Sequence, residues 1–392
     1  MNKDKVLKDL SALIDENRVQ IIAKNKIDLD AAHHLDATLH DRLKVDDSKV
    51  DGMINSIHDV IKIDDPVGKI LSEYAHPNGM KVKNRVVPFG KILIIYESRP
   101  DVTIEAAISA FKAGNKIYLK GGKEARNTNL YLTDLWHQAL NQNSVEENYI
   151  NYLDLSREDT QVLIADNPYR IDLIIPRGGE GLINYIRSNT TIPLVISGRG
   201  NNFAYIHKDA DFKMAEEIIL NGKTRLSVCN ALDKVLFHSS IPDLNEKLKA
   251  LISKLASNAI EVYAAKELQH VDIRLRPIES EDVYYEEFLS AKIMIDQVEG
   301  VEEAIEKINK YSGGHSATII TKDESIAFKF QNEVDAAAVY HNASTRFTDG
   351  GQFGFGAEIA ISTQKLHFRG PLGLSQLVTN KWFVNGQGQV RV

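Results

Sequence analysis

The sequence predicts an α/β protein that contains two parallel sheets. From Pro88 onward, short apolar runs alternate with patterns of helical spacing, and the alternation resumes after residue 230. Strands that alternate with helices in this way form parallel sheets. With 392 residues, the chain is long enough for two or three domains with cores of their own.

The elements follow one another with clear periodicities. Residues 4–25 and 50–61 carry apolar side chains at helical spacing, and 70–87 reads as a hairpin turning at His76-Pro-Asn-Gly79. A two-stranded ribbon is marginal alone, so we expect it to pack on another domain or subunit. Further strands are predicted at 91–96, 116–119, 149–153, 171–175, 193–196, 234–238, 259–263, 291–295, 317–321 and 381–384, and helices at 103–113, 129–140, 214–220, 244–257, 301–310 and 324–331.

Composition excludes several classes of protein. A net charge of −7 gives no reason to expect nucleic acid as a partner. No apolar run approaches the length of a membrane span, and the N-terminus lacks the apolar core of a signal peptide. With a single cysteine and no export signal, we expect a cytoplasmic protein.

That cysteine, Cys229, is the first candidate for chemistry. A lone cysteine is by default a small core residue. Here Lys223 and Arg225 precede it in a polar stretch between a helical pattern and a strand. Nearby cations favour the thiolate, which is the nucleophilic form. The stretch therefore predicts a nucleophilic cysteine.

Glycine-rich turns follow two of the predicted strands. Lys120-Gly-Gly-Lys123 and Arg177-Gly-Gly-Glu-Gly181 lie at carboxyl ends of strands, where ligands of parallel sheets bind. The second turn places amides and an arginine at a helix N-terminus, which suits phosphate, although such turns are as often purely structural. The Glu97-Ser-Arg-Pro100 turn offers a hydroxyl and a cation to an anion. No histidine spacing predicts a metal site.

These residues fit thiolate attack on an acyl carbon, followed by exchange of hydride with a nicotinamide. They leave open an aldehyde-oxidising enzyme, a thiol acyltransferase without redox chemistry, and a catalytically silent relative in which Cys229 is buried.

Several stretches together are more specific. They are Val87-Pro-Phe-Gly-Lys91, Ile95-Tyr-Glu-Ser-Arg-Pro-Asp-Val-Thr103, Lys120-Gly-Gly-Lys-Glu-Ala125, Ile175-Pro-Arg-Gly-Gly-Glu-Gly-Leu182, Cys229-Asn-Ala231, Gly314-His-Ser316, Asn342-Ala-Ser-Thr-Arg-Phe-Thr-Asp-Gly-Gly-Gln-Phe-Gly-Phe-Gly-Ala-Glu358 and Ile361-Ser-Thr-Gln-Lys-Leu-His367. On these stretches the chain resembles the γ-glutamyl phosphate reductases, the proline-biosynthesis family of the aldehyde dehydrogenase superfamily, along nearly its whole length.

The resemblance implies an aldehyde-dehydrogenase-like fold with two parallel-sheet α/β domains and a β oligomerisation arm. A cofactor domain would comprise 1–66 and 88–222, and a catalytic domain 223–349. The arm would comprise 67–87 and 372–392, and 350–371 would return to the cofactor domain. The resemblance also implies a homo-oligomer and a transient complex with glutamate 5-kinase.

The resemblance further implies that γ-glutamyl phosphate acylates Cys229 and that NADPH reduces the thioester. Catalytic residues would be Cys229 and Asn230, the latter with the Cys229 amide at the oxyanion. The phosphate and carboxylate of the substrate require cations. The candidate substrate-binding residues are Arg99, Lys223, Arg225 and Arg346, together with the hydroxyl of Ser98. Cofactor contacts would come from Lys120, Lys123, Arg177, Gly178, Gly179, Gly181 and Glu287, the last matching a superfamily glutamate that holds the nicotinamide ribose.

Three features of this chain bear on the family pattern. An aldehyde oxidiser needs a general base to hydrolyse its thioester, but 195–202 contains no carboxylate. Lys123 places a cation where NAD-linked relatives have a glutamate, which suits the 2′-phosphate of NADPH. The spacing of Lys223 and Arg225 is one residue shorter than the family usually has.

Overall fold

A computed structural model describes residues 1–33, 35 and 37–391, which divide into two compact units. The first unit comprises 1–196, 354–360 and 371–392, and the second comprises 197–353 and 361–370. Val392, the last residue of the predicted arm, lies outside the described residues. No helix in the described part of the chain combines the length and apolarity that crossing a membrane requires.

The first unit contains a four-stranded parallel sheet. Its strands are β3 (Lys91–Tyr96), β4 (Lys116–Lys120), β5 (Ile150–Tyr152) and β6 (Leu173–Arg177), and the helices between and after them are α5 (Val102–Lys112), α6 (Arg126–Gln142), α7 (Arg157–Asp166) and α8 (Glu180–Asn189). The strands lie in the order β5-β4-β3-β6, and apolar side chains such as Leu93 and Ile174 pack on the sheet.

Helices α1 (Lys3–Glu16), α2 (Arg18–Ala31), α3 (Ala37–Leu43) and α4 (Asp47–Lys62) precede this sheet. The single helical pattern predicted over 4–25 is two helices, because the chain breaks at Asn17. The Asn17 side chain donates a hydrogen bond to the Leu13 carbonyl, satisfying one of the carbonyls at the end of α1.

A three-stranded antiparallel sheet, here called the arm sheet, also belongs to the first unit. Strands β1 (Ile70–Ala75) and β2 (Lys81–Pro88) form the predicted hairpin, and β16 (Val378–Asn385) pairs with β2 along its whole length. The third strand supplies partners that an isolated hairpin lacks. Large apolar side chains nevertheless stay exposed on it, namely Ile70, Leu71, Tyr74, Trp382 and Val384.

The second unit is built on a seven-stranded sheet. Its strands are β7 (Asn202–Ile206), β8 (Leu232–His238), β9 (Glu261–Ala264), β10 (Arg276–Pro277), β11 (Lys292–Val298), β12 (Ser316–Ile320) and β13 (Ala338–His341). They lie in the order β10-β9-β11-β8-β7-β12-β13, and every neighbouring pair is parallel. Its helices are α9 (Phe212–Gly222), α10 (Leu244–Ser257), α11 (Asp282–Tyr285), α12 (Val301–Tyr311) and α13 (Glu324–Glu333). Two short strands, β14 (Ala360–Ser362) and β15 (Gly370–Leu372), pair separately.

The second unit begins at Ser197, whereas the predicted boundary between the cofactor and catalytic segments stands at 222/223. The reason is β7, a fully buried strand between β8 and β12 that the sequence reading missed. The strand predicted at 193–196 is wrong, since only an isolated bridge joins Leu194 to Ile174.

The predicted functional residues fall on opposite edges of the two sheets. The turns after β3, β4 and β6 lie at the carboxyl edge of the four-stranded sheet. Cys229 precedes β8 and therefore lies at the amino edge of the seven-stranded sheet. The rule that ligands bind beyond carboxyl ends consequently applies to the first unit and does not locate the cysteine.

Candidate active site

Residues 223–230, here called the cysteine loop, connect α9 to β8 without regular structure, and Cys229 in it is half-buried. The loop passes very close to Gly200, where an added Cβ would stand 2.1 Å from the Cys229 carbonyl oxygen. Only glycine permits this approach of two backbones. The backbone that carries the thiol therefore packs directly against Gly200, two residues before β7 begins.

The amide of Asn202 holds that loop in place. Its Nδ2 donates to the carbonyl oxygens of Gly200, Cys229 and Ala231, at 2.9, 2.8 and 2.6 Å. Asn202 is fully buried. Since a buried donor left unpaired is costly, these bonds fix the backbone on both sides of the thiol.

Arg346 and Arg225 are the cations that interact with the thiol's surroundings. Burial lowers the pKa of Arg346, and the charge of Arg225 lowers it further, while Cys229 and Asp349 raise it. Arg346 thus interacts both with the sulfur and with Arg225, and a cation beside a thiol favours the thiolate or an oxyanion there. Arg225 is exposed and Arg346 half-buried, so a substrate anion can reach both.

Asn230 has a different role from the predicted one. Its Nδ2 donates to the carbonyl oxygens of Arg346 and Thr348, at 3.1 and 3.0 Å, so both amide hydrogens are engaged. The Thr345 hydroxyl in turn donates to the Asn230 carbonyl. The side chain therefore ties the segment carrying Arg346 to the cysteine loop, and the prediction that it stabilises an oxyanion is wrong for this geometry.

Lys223 is not available to a substrate either. Its Nζ lies 2.5 Å from Oδ1 of Asp233, and both side chains are buried. Burial lowers the pKa of Lys223, which Asp233 opposes. A charge buried in an ion pair is already compensated, so the prediction of a substrate-binding cation is corrected to a structural pair that joins the two ends of the cysteine loop.

The segment 286–288 carries Glu287, which is half-buried. On one side of it, the Glu286 carbonyl accepts a hydrogen bond from Nζ of Lys234 at 2.8 Å. On the other side, the Phe288 amide donates to Oδ2 of Asp233 at 2.8 Å. The residues on either side of Glu287 are thus hydrogen-bonded to Asp233 and Lys234, near the start of β8.

In the first unit, Ser98 and Arg99 follow β3 at the carboxyl edge of the four-stranded sheet. Ser98 is buried with φ at +34°, and Arg99 pairs with Asp101 at 3.0 Å. Glu105 lies in the same cluster. Burial raises its pKa to about 7, the charge of Asp101 raises it as well, and those of Arg99 and Arg177 lower it.

The turn after β4 presents two cations. Lys120 is half-buried and donates to the Gly121 carbonyl at 2.9 Å, and burial lowers its pKa. Lys123 is exposed. Gly121 allows close packing, since a Cβ there would stand 2.3 Å from Nδ2 of Asn129. The backbone at this turn is thereby fixed while the Lys123 side chain stays accessible.

The turn after β6 is partly bound from within the chain. The Gly179 amide donates to the carboxylate of Glu97 at 3.0 Å, and the same carboxylate lies 2.7 Å from the Cβ position of Gly178. Arg177 is half-buried, and the space around Gly181 is open. The Glu97 carboxylate thus occupies the Gly179 amide, which the prediction assigns to phosphate, whereas the contact of Gly178 with the cofactor stays a prediction.

The sequence of the chain is similar to that of a known protein family along most of its length. The model of the aldehyde dehydrogenase family matches residues 18–262 and 278–357. The chain belongs to the aldehyde dehydrogenase family. Within it, the chain groups with the γ-glutamyl phosphate reductases, being 42% identical to that of Caldicellulosiruptor saccharolyticus and 43% to that of Nitratiruptor sp., in both cases over 99% of this chain and 94% of the relative.

Solved structures agree with this membership. The crystal structure of the γ-glutamyl phosphate reductase of Thermotoga maritima superimposes with a TM-score of 0.94 at 41% identity, covering 100% of this chain and 94% of that one. An acetylating aldehyde dehydrogenase of Geobacillus thermoglucosidasius shares the fold at 17% identity, with a TM-score of 0.70 over 100% of this chain and 94% of that one. The predicted aldehyde-dehydrogenase-like fold is confirmed, and the chain is an oxidoreductase of this family.

Sequence reasoning missed several residues of this aldehyde dehydrogenase site. Asp233 and Lys234 have no predicted role, and Asn202 enters the predictions only within the stretch 195–202, although polar side chains inside buried strands are uncommon and are usually paired. That signal was present, because β7 and β8 are fully buried strands composed largely of apolar residues. Glu105 carried a similar signal as the acidic residue of a helix that is otherwise almost wholly buried.

Proposed function

We propose that the chain reduces L-glutamyl 5-phosphate to L-glutamate 5-semialdehyde and phosphate, with NADPH as hydride donor, in the biosynthesis of proline. The observation that carries the proposal is the half-buried thiol of Cys229 next to Asn230, whose side chain binds the backbone of Arg346, a residue that interacts electrostatically with Cys229 and with Arg225. The relatives' name supports the substrate. We also propose that the protein works in the cytoplasm as a homo-oligomer and meets glutamate 5-kinase transiently.

In the first half-reaction, the Cys229 thiolate attacks the acyl carbon. A carbon–sulfur bond forms, the carbon–oxygen bond to phosphate breaks, and phosphate leaves with the electron pair. Arg225 and Arg346 bind the phosphate and stabilise the charge that develops on it. A thioester on Cys229 results.

In the second half-reaction, the thioester carbon gains a hydride, the carbon–sulfur bond breaks and Cys229 leaves as the thiolate. When bound, NADPH supplies that hydride. The residues at the carboxyl edge of the four-stranded sheet fit an anionic cofactor, since Lys120, Lys123 and Arg177 surround turns at that edge. Glu97 holds the Gly179 amide, so a pyrophosphate at that helix N-terminus has to replace its carboxylate.

Water must not hydrolyse the thioester in this reaction. Residues 195–202 contain no carboxylate that can act as a general base. Asn202, which ends this stretch, uses its NH2 group on three backbone carbonyl oxygens, and an amide is too weak a base to activate a water molecule. Loss of the base suits a reductase and disfavours an oxidising aldehyde dehydrogenase.

The decisive experiment runs the reaction backward, from glutamate 5-semialdehyde and NADP⁺, and follows NADPH by absorbance with and without inorganic phosphate. Strict dependence on phosphate is the expected result, because phosphate is then the acceptor of the acyl group. Turnover without phosphate means that water deacylates the enzyme, and the proposal of an acyl-phosphate reductase fails.

Cys229→Ala is the control. We expect it to abolish turnover and to leave folding and NADPH binding nearly intact, because the sulfur alone forms the covalent bond. Residual turnover above a few per cent, roughly the level that contaminating enzyme explains, contradicts a covalent mechanism.

A further inference from the structure

We propose that Asp233 and Lys234 are positioning residues that set the distance between the nucleophile and the cofactor-binding glutamate. They stand at the start of β8, directly after the cysteine loop, and both bind the segment carrying Glu287. The inference rests on the proposed function, in which Cys229 accepts the acyl group and Glu287 holds the nicotinamide ribose.

Asp233 makes two contacts at once. Oδ1 pairs with Lys223 at the beginning of the cysteine loop, at 2.5 Å, and Oδ2 accepts the Phe288 amide at 2.8 Å. The carboxylate is buried, with 2% of its side chain exposed. One rigid group therefore joins both ends of the cysteine loop to the residue that follows Glu287.

Lys234 fixes the same segment from the other side. Its Nζ donates to the Glu286 carbonyl at 2.8 Å and lies 3.5 Å from the centre of the Phe288 ring, a cation–π contact. The side chain is fully buried. The pKa of Lys234 is lowered to about 7, chiefly by burial and also by the charge of Lys223, against the opposing charges of Asp233, Glu286 and Glu287.

A buried lysine of this kind needs an explanation beyond folding. Replacing a buried charge by an apolar side chain of similar volume is often neutral or stabilising, so stability alone does not favour Lys234 at this place. Fixing a reacting geometry does favour it, because a misplacement of about 1 Å can cost about 100-fold in rate. Leu289, directly after the segment, has φ at +45°, so the backbone is held in a conformation that few residues adopt.

The test separates the two half-reactions in a Lys234→Met variant. Acylation of Cys229 is measured without nicotinamide, as the burst of p-nitrophenol from p-nitrophenyl acetate, and by the rate of iodoacetamide labelling of this single cysteine. Nicotinamide turnover is measured in the phosphate-dependent reverse reaction. We expect acylation and labelling to stay within about twofold, and kcat of turnover to fall about 10- to 100-fold.

Lys292→Met is the matched control. Lys292 lies on the neighbouring strand, 5.8 Å from the ring centre of Tyr263, which itself contacts Phe288, but it is not seen to bond the segment 286–288 in the described structure. We expect this variant to keep both half-reactions. Equal losses in acylation and turnover for Lys234→Met, or no loss in either, overturn the positioning role.

A double-mutant cycle with Glu287→Gln gives a second reading. If Lys234 acts through Glu287, the double variant loses much less than the product of the two single losses. If the loss of turnover in the double variant equals the product of the two single losses, the inference is overturned.

Asp233→Asn is measured in the same assays, and a thermal melt shows whether it is folded. A folded Asp233→Asn protein with wild-type turnover likewise counts against the inference. A wild-type protein that acylates but shows no nicotinamide turnover instead refutes the proposed function.

Discussion

At the scale of single residues, the site depends on how charges are distributed around one sulfur atom. Arg225 and Arg346 keep their charges near Cys229, whereas Lys223 has its charge compensated by Asp233. Lys223 and Arg225, two residues apart in the chain, thus have opposite uses. The accessible Arg225 can bind an anion, whereas the buried Lys223 stabilises the cysteine loop.

Arg346→Gln tests the electrostatic role of the arginine. Removing the guanidinium is expected to slow iodoacetamide labelling of Cys229 about three- to tenfold near pH 7, because less of the thiol is ionised. The measurement is the labelling rate against pH, whose rise should move to higher pH. Arg274→Gln, in an ion pair with Asp272, is the control. Identical profiles for all proteins exclude an interaction between Arg346 and the thiol.

At the scale of elements, helix α5 carries a largely enclosed acid beside the predicted binding turns. Asp101 is the N-cap of α5 and Glu105 lies in its first turn, four residues later, so both carboxyl groups are on the same side of the helix. Arg99 and Arg177 compensate them only in part, and the pKa of Glu105 is raised to about 7. Ionisation of Glu105 is therefore energetically unfavourable in the native protein.

Glu105→Gln is expected to change the pH dependence of stability. Between the ordinary value of 4.5 and about 7, the native state keeps a proton that the unfolded state has released, so the native protein loses stability as pH rises. The variant should escape this loss. Its free energy of unfolding relative to wild type should increase across that window by at most about 1.4 kcal/mol per pH unit.

Urea unfolding at several pH values measures this difference. Glu217→Gln, an exposed position on α9, serves as the control and should give a constant difference. A pH-independent difference for Glu105→Gln shows that the carboxyl group titrates normally in the native state.

The turn between β4 and α6 carries the expected selectivity for the cofactor. We expect Lys123→Glu to lower the ratio of kcat/KM for NADPH to that for NADH by about tenfold or more, because a carboxylate repels the 2′-phosphate. Lys116→Glu, at the other end of β4, is the control. An unchanged ratio for Lys123→Glu removes Lys123 from the cofactor site.

At the scale of the whole molecule, the arm sheet exposes apolar side chains that no contact within the single chain accounts for in the described structure. Its β1 strand is exposed at every position, and Trp382 and Val384 point to one face of β16 with more than half of their surface exposed. Exposed apolar side chains grouped in this way are typical of association surfaces. We therefore keep the proposal that this sheet is an oligomerisation arm.

Trp382→Glu is expected to shift the protein toward the chain mass of 43.9 kDa in light scattering, because a carboxylate buried in an apolar interface is costly. Ile273→Glu is the matched control, since Ile273 is fully exposed and lies outside the arm sheet. A protein that keeps the same mass in both variants associates through another surface or not at all.

The sequence by itself determined the alternation of strands and helices, the hairpin at His76-Pro-Asn-Gly79, the singular position of Cys229 and the family. These features depend on local periodicity, on turn residues and on extended motifs, all of which are written in neighbouring positions. For the same reason, the predicted span of helix α10 agrees with the structure.

Only the tertiary structure decided which polar groups meet. The sequence predicts Lys223 as a substrate-binding cation, Asn230 as an oxyanion donor and Gly179 as a residue that contacts the cofactor. Their partners, Asp233, the carbonyls of 346 and 348, and Glu97, stand from 10 to 118 residues away in the chain. A hydrogen bond removes a group from chemistry only when packing brings its partner within reach, and that packing is set by the sheets as a whole.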